Sequence, residues 1–267
     1  MHEAVPIHIA PAAICDLQPD DRLLLAGPGP SPAPHPCLRS AEALGPIAVG
    51  SSLGRETGKP LFQVESALWM PCAAPTCQRA FVLRALAPME LPGELMAYWI
   101  WKEGYSLARI SLSDSGARGN REDRSGPRIA EIVGSELPLC LELAFILPDD
   151  LGGCKSLLCH LALELQADLI LTTGGTGVTS RDLAPEATEA VLERRLPGFE
   201  QAMLSASLAK TPHAVISRAK AGILGSSLIV NLPGSRKAVE ENLAAVLPAF
   251  KHTLDKIRDD PTACGRS

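Results

Sequence analysis

The sequence predicts a doubly wound, mostly parallel α/β sheet with helices on both faces, preceded by a small β-rich module. Three observations lead there. From Leu107 onward short apolar strands alternate with helical patterns, as βαβ units of a parallel sheet do. The run Leu169-Ile170-Leu171 is apolar without alternation, as in a strand buried on both faces. Residues 1–100 have another texture, with short apolar runs punctuated by prolines and glycines and little sign of helix.

Taken in order, the first region offers strand candidates at residues 23–25, 47–49, 61–64 and 81–86. The densest break is Gly27 to Pro36. Gly54 to Pro60 approaches a phosphate loop, but it is one residue short and Pro60 stands where a magnesium-binding Ser or Thr belongs, so it is rejected. Met96 to Gly104, with Tyr98, Trp99 and Trp101, reads as a junction whose aromatics pack one module on the other. The expected division is therefore a β-rich module of unassigned role at 1–100 and an α/β domain at 104–260.

In the second region residues 107–112 form a strand ending at Ser113 and Asp114, followed by a polar, charge-mixed loop over 117–126. A helix starts near Pro127, a favoured first position, with Ile129, Ile132 and Val133 on one face. A strand at 141–147 closes in Pro148-Asp149-Asp150, and Leu158, Leu161 and Leu165 mark a helix over 151–166. After the strand at 169–171 comes Thr172-Thr-Gly-Gly-Thr-Gly177, then a helix from about Pro185 to Arg195. Pro197-Gly198-Phe199 breaks that helix and starts another through Met203 and Ser207. Residues 214–216 and 222–224 are short strand candidates, and 227–231 is a stronger one. The last helix carries Val239, Leu243, Leu247, Phe250, Leu254 and Ile257 on one stripe, with Ser235 as N-cap and a bend at Pro248.

Composition bounds the function. A net charge of −5 over 267 residues argues against nucleic acid as a partner, yet a few local donors can hold a phosphate inside an acidic protein. No run approaches the roughly 20 apolar residues of a membrane span. The opening Met-His-Glu-Ala-Val-Pro lacks the basic and apolar regions of a signal peptide, so the expected location is cytoplasmic. The eight cysteines then read mostly as buried thiols, Cys154 and Cys159 in a helical core segment among them. Cys72, Cys77, His35 and Cys37 lack the spacing of a metal site.

In open α/β sheets ligands sit outside the carboxyl ends of the strands. Four such ends carry small or acidic polar residues: Ser113-Asp114, Asp149-Asp150, Thr173 to Gly177, and Asn231 to Ser235. The glycines let backbone amides approach a ligand closely. Asp182 and the helix opened by Pro185 and Glu186 complete a phosphate-binding pattern. A tight turn without ligand is the alternative for the glycine loop alone.

With these motifs in view, residues from about Tyr105 to Ile257 resemble the molybdopterin adenylyltransferase family, including the G domain of gephyrin. The resemblance is carried by Ser111-Leu-Ser113-Asp114, Arg121-Glu-Asp-Arg-Ser125-Gly126-Pro127, Leu147-Pro148-Asp149, and Leu171 to Gly177 with Arg181-Asp182 and Pro185-Glu186. Ser217-Arg218 and Asn231-Leu-Pro-Gly-Ser235 complete it. It implies magnesium-dependent transfer of the adenylyl group of ATP to molybdopterin, releasing pyrophosphate. Asp149 and Asp182 match the family's functional acids and are implied to be catalytic and to hold Mg2+, although each also reads as a helix N-cap. Thr173, Gly174, Gly175, Thr176 and Gly177 are implied to cradle phosphate. Ser113, Asp114, Pro185, Glu186, Ser217, Arg218, Asn231, Pro233, Gly234 and Ser235 are implied to bind pterin or nucleotide, with the assignment of loops to ligands open.

The implied partners are ATP, molybdopterin and other molybdenum cofactor biosynthesis proteins, in a homotrimer, with no nucleic acid and no membrane. The competing reading is a non-catalytic molybdopterin-binding carrier or scaffold. It draws on Leu204, which stands where the family usually has a basic residue. Arg236 also replaces a common proline after Gly234-Ser235. A generic nucleotide-binding domain is the poorer third reading, because neither GxGxxG nor GxxxxGK[ST] appears intact.

Overall fold

A computed structural model describes residues 4–11, 15–28, 37–71, 77–91 and 94–258. The chain divides into two compact units, Met1–Gly104 and Tyr105–Ser267.

The described part of the first unit is all strand: β1 (Val5–Pro11), β2 (Cys15–Leu17), β3 (Arg22–Ala26), β4 (Cys37–Ser40), β5 (Ser52–Gly54), β6 (Phe62–Pro71), β7 (Cys77–Ala85), β8 (Met89–Leu91) and β9 (Met96–Trp101). Seven of them close into a barrel in the order β1-β4-β3-β7-β6-β5-β9, and β2 pairs with β8 as a ribbon. Leu25, Leu38, Leu53, Phe62 and Phe81 are fully buried. They supply inward side chains from alternate positions, which is what closure of a small barrel demands. The strand expected at 47–49 is absent: these residues form a loop whose Val49 is buried, so the apolar run plugs the core instead of pairing. Met96 to Trp101 is a barrel strand, with Tyr98 packed on Phe62 at 6.3 Å between ring centroids. Gly54 to Pro60 is a tight turn joined by a Lys59–Glu56 pair at 2.6 Å. Most of the Gly27–Pro36 break, together with His35, Cys72 and Cys264, lies outside the described residues.

The second unit runs β10 (Tyr105–Leu112), α1 (Asp114–Ala117), α2 (Ser125–Glu136), β11 (Leu139–Leu147), α3 (Leu151–Cys159), β12 (Leu169–Thr173), α4 (Ala184–Glu189), β13 (Arg194–Arg195), α5 (Pro197–Leu208), β14 (Ala221–Leu224), β15 (Ser227–Leu232) and α6 (Arg236–Ile257). The sheet order is β11-β10-β12-β15-β14-β13. Its first three pairings are parallel and its last two antiparallel, so that β14 alone runs against the other strands, which is the mixed form of the expected doubly wound sheet. Period-2 alternation divides β12 and β15 between two faces. Leu169, Leu171, Leu228, Val230 and Leu232 join Ile129 and Val133 of α2, Met203 of α5 and the Val239–Leu243–Phe250–Leu254 stripe of α6 in one core. Each fully buried side chain of this size contributes about 1.5–3 kcal/mol. On the other side α3 packs on α4, and α4 on β15.

Three expectations are corrected. The helix expected from Pro185 to Arg195 stops at Glu189, because Arg194 and Arg195 pair with Ile223 and Gly222 as an edge strand. Residues 214–216 belong to a 3-10 turn (Pro212–Ile216) capped by Thr211, not to a strand, and Val215 and Ile216 are exposed. The helix over 151–166 is α only to Cys159 and continues as a π turn through Glu164, although Leu158, Leu161 and Leu165 are all buried as their spacing requires. Helix α6 runs unbroken through Pro248, with the Ser235 hydroxyl accepting from the Ala238 amide at 3.2 Å. Cys154 is buried, which pushes its thiol up to about 11, whereas Cys159 is only half-buried. Among the described residues no helix is long and apolar enough to cross a membrane.

At the amino edge of the sheet, Asp168 accepts from the Ser106 amide at 2.7 Å and from Arg258 at 2.6 Å. The Arg258 guanidinium lies 4.5 Å over the Tyr105 ring, and the Tyr105 hydroxyl donates to Asp255. This cluster latches the end of α6 to the first residues of β10.

Candidate functional site

The parallel register brings four strand ends level. Ser111 lies opposite Thr173 and Ile146, and Thr173 opposite Leu232. Each strand then passes into a loop at the carboxyl edge. Beyond β10, Ser113 caps α1, its hydroxyl accepting from the Gly116 amide at 3.1 Å. Beyond β11, Asp150 and not Asp149 is the N-cap of α3, accepting from the Gly153 amide at 2.6 Å, which leaves the Asp149 carboxylate unspent on capping. Beyond β12, Gly174 and Gly175 both adopt positive φ, +93° and +62°. Beyond β15, Ser235 caps α6.

Two adjoining cavities open on this edge. The first, about 450 Å³, lies between Ser111, Ser113, the 121–125 segment, Thr173–Gly174 and the Gly234–Arg236 turn. The second, about 400 Å³, is bordered by Ser113, Asp114, Asp149, Gly175, Arg181 and Asp182. Leu112, Ser113 and Arg121 border both.

The second cavity is electrostatically uneven. Burial, then the charge of Asp114, push the Asp149 carboxyl above the usual carboxylate range, with Arg181 opposing. Asp114 accepts from the Asp149 amide at 3.2 Å and faces Arg181 at 3.2 Å. At Asp182 burial also works upward, but hydrogen bonds from the Thr179 hydroxyl (2.7 Å) and amide (2.8 Å), another from the Gly177 amide, and the charge of Arg218 outweigh it and hold the carboxyl low. Of these two neighbouring acids, one is thus shifted above and the other below the usual carboxylate value.

The glycine loop is pinned from behind. The Arg218 guanidinium donates to the carbonyls of Gly177 (2.7 Å) and Asp182 (2.6 Å) and pairs with Glu186, whose carboxyl is held low against its own desolvation. The Arg218 amide donates to the Thr176 carbonyl at 3.1 Å. The Thr173 hydroxyl is spent on the Pro233 carbonyl at 2.7 Å. Among the described residues no acceptor takes the amides of Gly175 and Thr176; of the two, Gly175 borders the second cavity, where its donor is free for a ligand.

The expected site residues therefore separate into groups. Ser113, Asp114, Asp149, Thr173, Gly174, Gly175, Asp182, Gly234 and Ser235 border the paired cavities. Pro185, Glu186, Ser217 and Arg218 border a separate cavity of about 440 Å³, with Leu204 in its wall. Thr176, Gly177 and Pro233 line none of these three cavities. Asn231 does not either; it is fully buried, donating to the hydroxyls of Thr172 (2.9 Å) and Thr188 (2.8 Å) and accepting from the Lys220 amide (3.1 Å). It holds β12, β15 and α4 in register. Residues to which the sequence reading gave no site role are Arg118, Asn120, Arg121 and Thr179, although Arg121 opens one of the motifs that carry the resemblance. Their signal was the polar loop between Asp114 and Pro127, whose mixed charge reads equally well as a solvated surface.

Comparison with known proteins places the second unit in a family. The family model described as "Probable molybdopterin binding domain" matches residues 108–252. A molybdopterin adenylyltransferase of Helicobacter pylori is 43% identical over 149 residues, 55% of this chain and 85% of that protein. Gephyrin of Dictyostelium discoideum is 39% identical over 169 residues, 60% of this chain and 23% of that protein. Among solved structures, the molybdopterin biosynthesis enzyme MoaB of Thermus thermophilus superposes with a TM-score of 0.54 at 39% identity, covering 58% of this chain and 97% of that one. The barrel of the first unit lies outside the span of the family match.

Proposed function

Because the chain belongs to the molybdopterin-binding domain family through residues 108–252, we propose that it works in molybdenum cofactor biosynthesis by transferring the adenylyl group of ATP to molybdopterin. The phosphate monoester oxygen of the pterin attacks the α-phosphorus of ATP. A new P–O bond forms, the bond to the β-phosphate oxygen breaks, and the electron pair leaves with pyrophosphate. Both reactants are anions, so positioning and charge neutralisation supply most of the acceleration.

The observation that carries the reading is one cavity at the carboxyl edge bordered by Asp114, Asp149, Asp182 and the Gly175 turn. Behind this loop Arg218 holds the Thr176, Gly177 and Asp182 carbonyls, and the Gly175 amide has no acceptor among the described residues. Asp149 is the acid whose ionisation is opposed by burial and by Asp114, and a divalent cation relieves both. Hard carboxylate oxygens suit Mg2+, which typically takes one or two of them and completes its shell with water and substrate phosphate. Asp149 and Asp182 would hold it. When bound, magnesium would neutralise charge on the phosphates. The resemblance to the family also supports a homotrimer, which sedimentation equilibrium would test.

The decisive assay mixes the purified protein with molybdopterin and magnesium-ATP and seeks adenylylated pterin by mass spectrometry. In Asp182→Asn, turnover is expected to fall at least about a hundredfold with folding intact. Tight pterin binding without any product would instead favour the carrier reading.

A further inference from the structure

The segment between α1 and α2 forms a wall of both cavities, and its hold on the sheet is a single carboxylate. Asp123 is 13% exposed. Its Oδ2 accepts from the Ser111 hydroxyl at 2.6 Å, and its Oδ1 accepts from the amides of Ser125 (3.1 Å) and Gly126 (2.9 Å). The Arg109 guanidinium stands 3.6 Å away. Ser125 in turn donates to the Gly234 carbonyl at 3.0 Å. One side chain thereby ties the loop to β10, to the start of α2 and, through Ser125, to the turn beyond β15.

A carboxylate in the wall of an anion-binding cavity repels the ligand. Its presence needs another reason, and the neighbouring cations supply one. Arg124 pairs with Glu122, Arg181 with Asp114 and Arg236 with Glu240. Arg118 and Arg121 make no side-chain hydrogen bond or ion pair among the described residues, and of these two only Arg121 borders both cavities. A guanidinium with its donors uncommitted is suited to bidentate capture of phosphate.

We propose that Asp123 is a positioning residue that fixes this loop so that Arg121, where the two cavities meet, grips a phosphate group of bound substrate. The inference rests on the adenylyl-transfer reading only in taking the substrate to carry phosphate.

The test is a double-mutant cycle read by steady-state kinetics with molybdopterin and magnesium-ATP, and by calorimetric titration with inorganic pyrophosphate. Arg121→Gln should raise KM and the pyrophosphate Kd about tenfold while kcat changes less than about threefold. Asp123→Ala should reproduce that rise, and the double variant should go no further, because both act through one guanidinium. Asp123→Asn keeps an oxygen for the Ser125 and Gly126 amides and should recover most of the affinity. Multiplicative losses in the double variant, or unchanged pyrophosphate binding in Arg121→Gln, overturn the proposal. Should Asp123→Ala fail to fold, Ser111→Ala takes its place in the cycle, because it removes the sheet end of the same tie, and the same non-additivity with Arg121→Gln decides. A wild type that makes no adenylylated pterin while the pyrophosphate pattern holds defeats the activity and leaves the inference standing. An active wild type with indifferent variants does the reverse.

Discussion

Alanine at Gly174 and alanine at Gly175 look like the same substitution and should behave differently. At Gly174, φ is +93° and a Cβ would stand 2.6 Å from the Leu112 carbonyl oxygen, an atom of the central sheet that cannot step aside. The conformational penalty of about 1–2 kcal/mol then adds to an overpacking penalty of about 1–3 kcal/mol. At Gly175, φ is +62° and the nearest atoms, on Ala184 and Leu112, lie at 3.6 Å, so only the first penalty of about 1–2 kcal/mol applies. For a unit of this size each kcal/mol lowers Tm by roughly 2–4 °C. Gly174→Ala should therefore fall roughly 4–20 °C and Gly175→Ala roughly 2–8 °C. Circular dichroism must report the melt, because Trp69, Trp99 and Trp101, the only tryptophans, all belong to the first unit. Gly175 borders the acidic cavity, so its alanine methyl should weaken ATP binding about tenfold or more despite the mild loss of stability. Equal destabilisation by the two variants would refute the steric reasoning. Undiminished ATP affinity in Gly175→Ala would reduce the loop to a plain turn.

Three further outcomes follow from the same geometry. Asp149 retains its proton more strongly folded than unfolded, so its ionisation opposes folding as pH rises through the raised value. Asp149→Asn should accordingly be more stable than wild type at neutral pH, with the gain gone by about pH 3, and magnesium should raise the wild-type Tm more than the variant's. The Tyr105 phenol is pushed up to about 12 by burial, then by its hydrogen bond to Asp255 and that group's charge. In a Tyr98→Phe background, phenolate absorbance should appear only near that value, with stability declining from about pH 10 upward; ionisation at the ordinary value would mean the latch on α6 is not formed. A chain beginning at Tyr105 should fold and bind molybdopterin by itself, and insolubility would show that the two units are not separable.

The sequence declares the carboxyl edge because the requirements there are local. A strand that must stop, a glycine that must take positive φ and a serine that must cap a helix each leave a residue type in place, as at Thr173, Gly174 and Ser235. Relations across the chain leave no such trace. Val5 pairs with Ile100 to close the barrel, and neither residue says so. Arg218 looks like a phosphate ligand in sequence, yet its donors go to two carbonyls and a glutamate. Asn231 ends a strand and looks available, whereas a buried threonine pair consumes its amide. Helix α4 stops early because an edge strand claims Arg194 and Arg195, and tertiary pairing overrides local periodicity there.

The Arg218 clamp has a thermodynamic corollary. Its guanidinium and amide hold three carbonyls of the 176–182 segment without any ligand, so the entropy of ordering that turn is lost during folding, not on encounter. Ligand capture should then carry a small unfavourable entropy and proceed without a slow rearrangement phase. Arg218 borders neither of the paired cavities. Its removal should nevertheless surface there, as a slower on-rate and a larger entropic penalty for molecules that it never contacts.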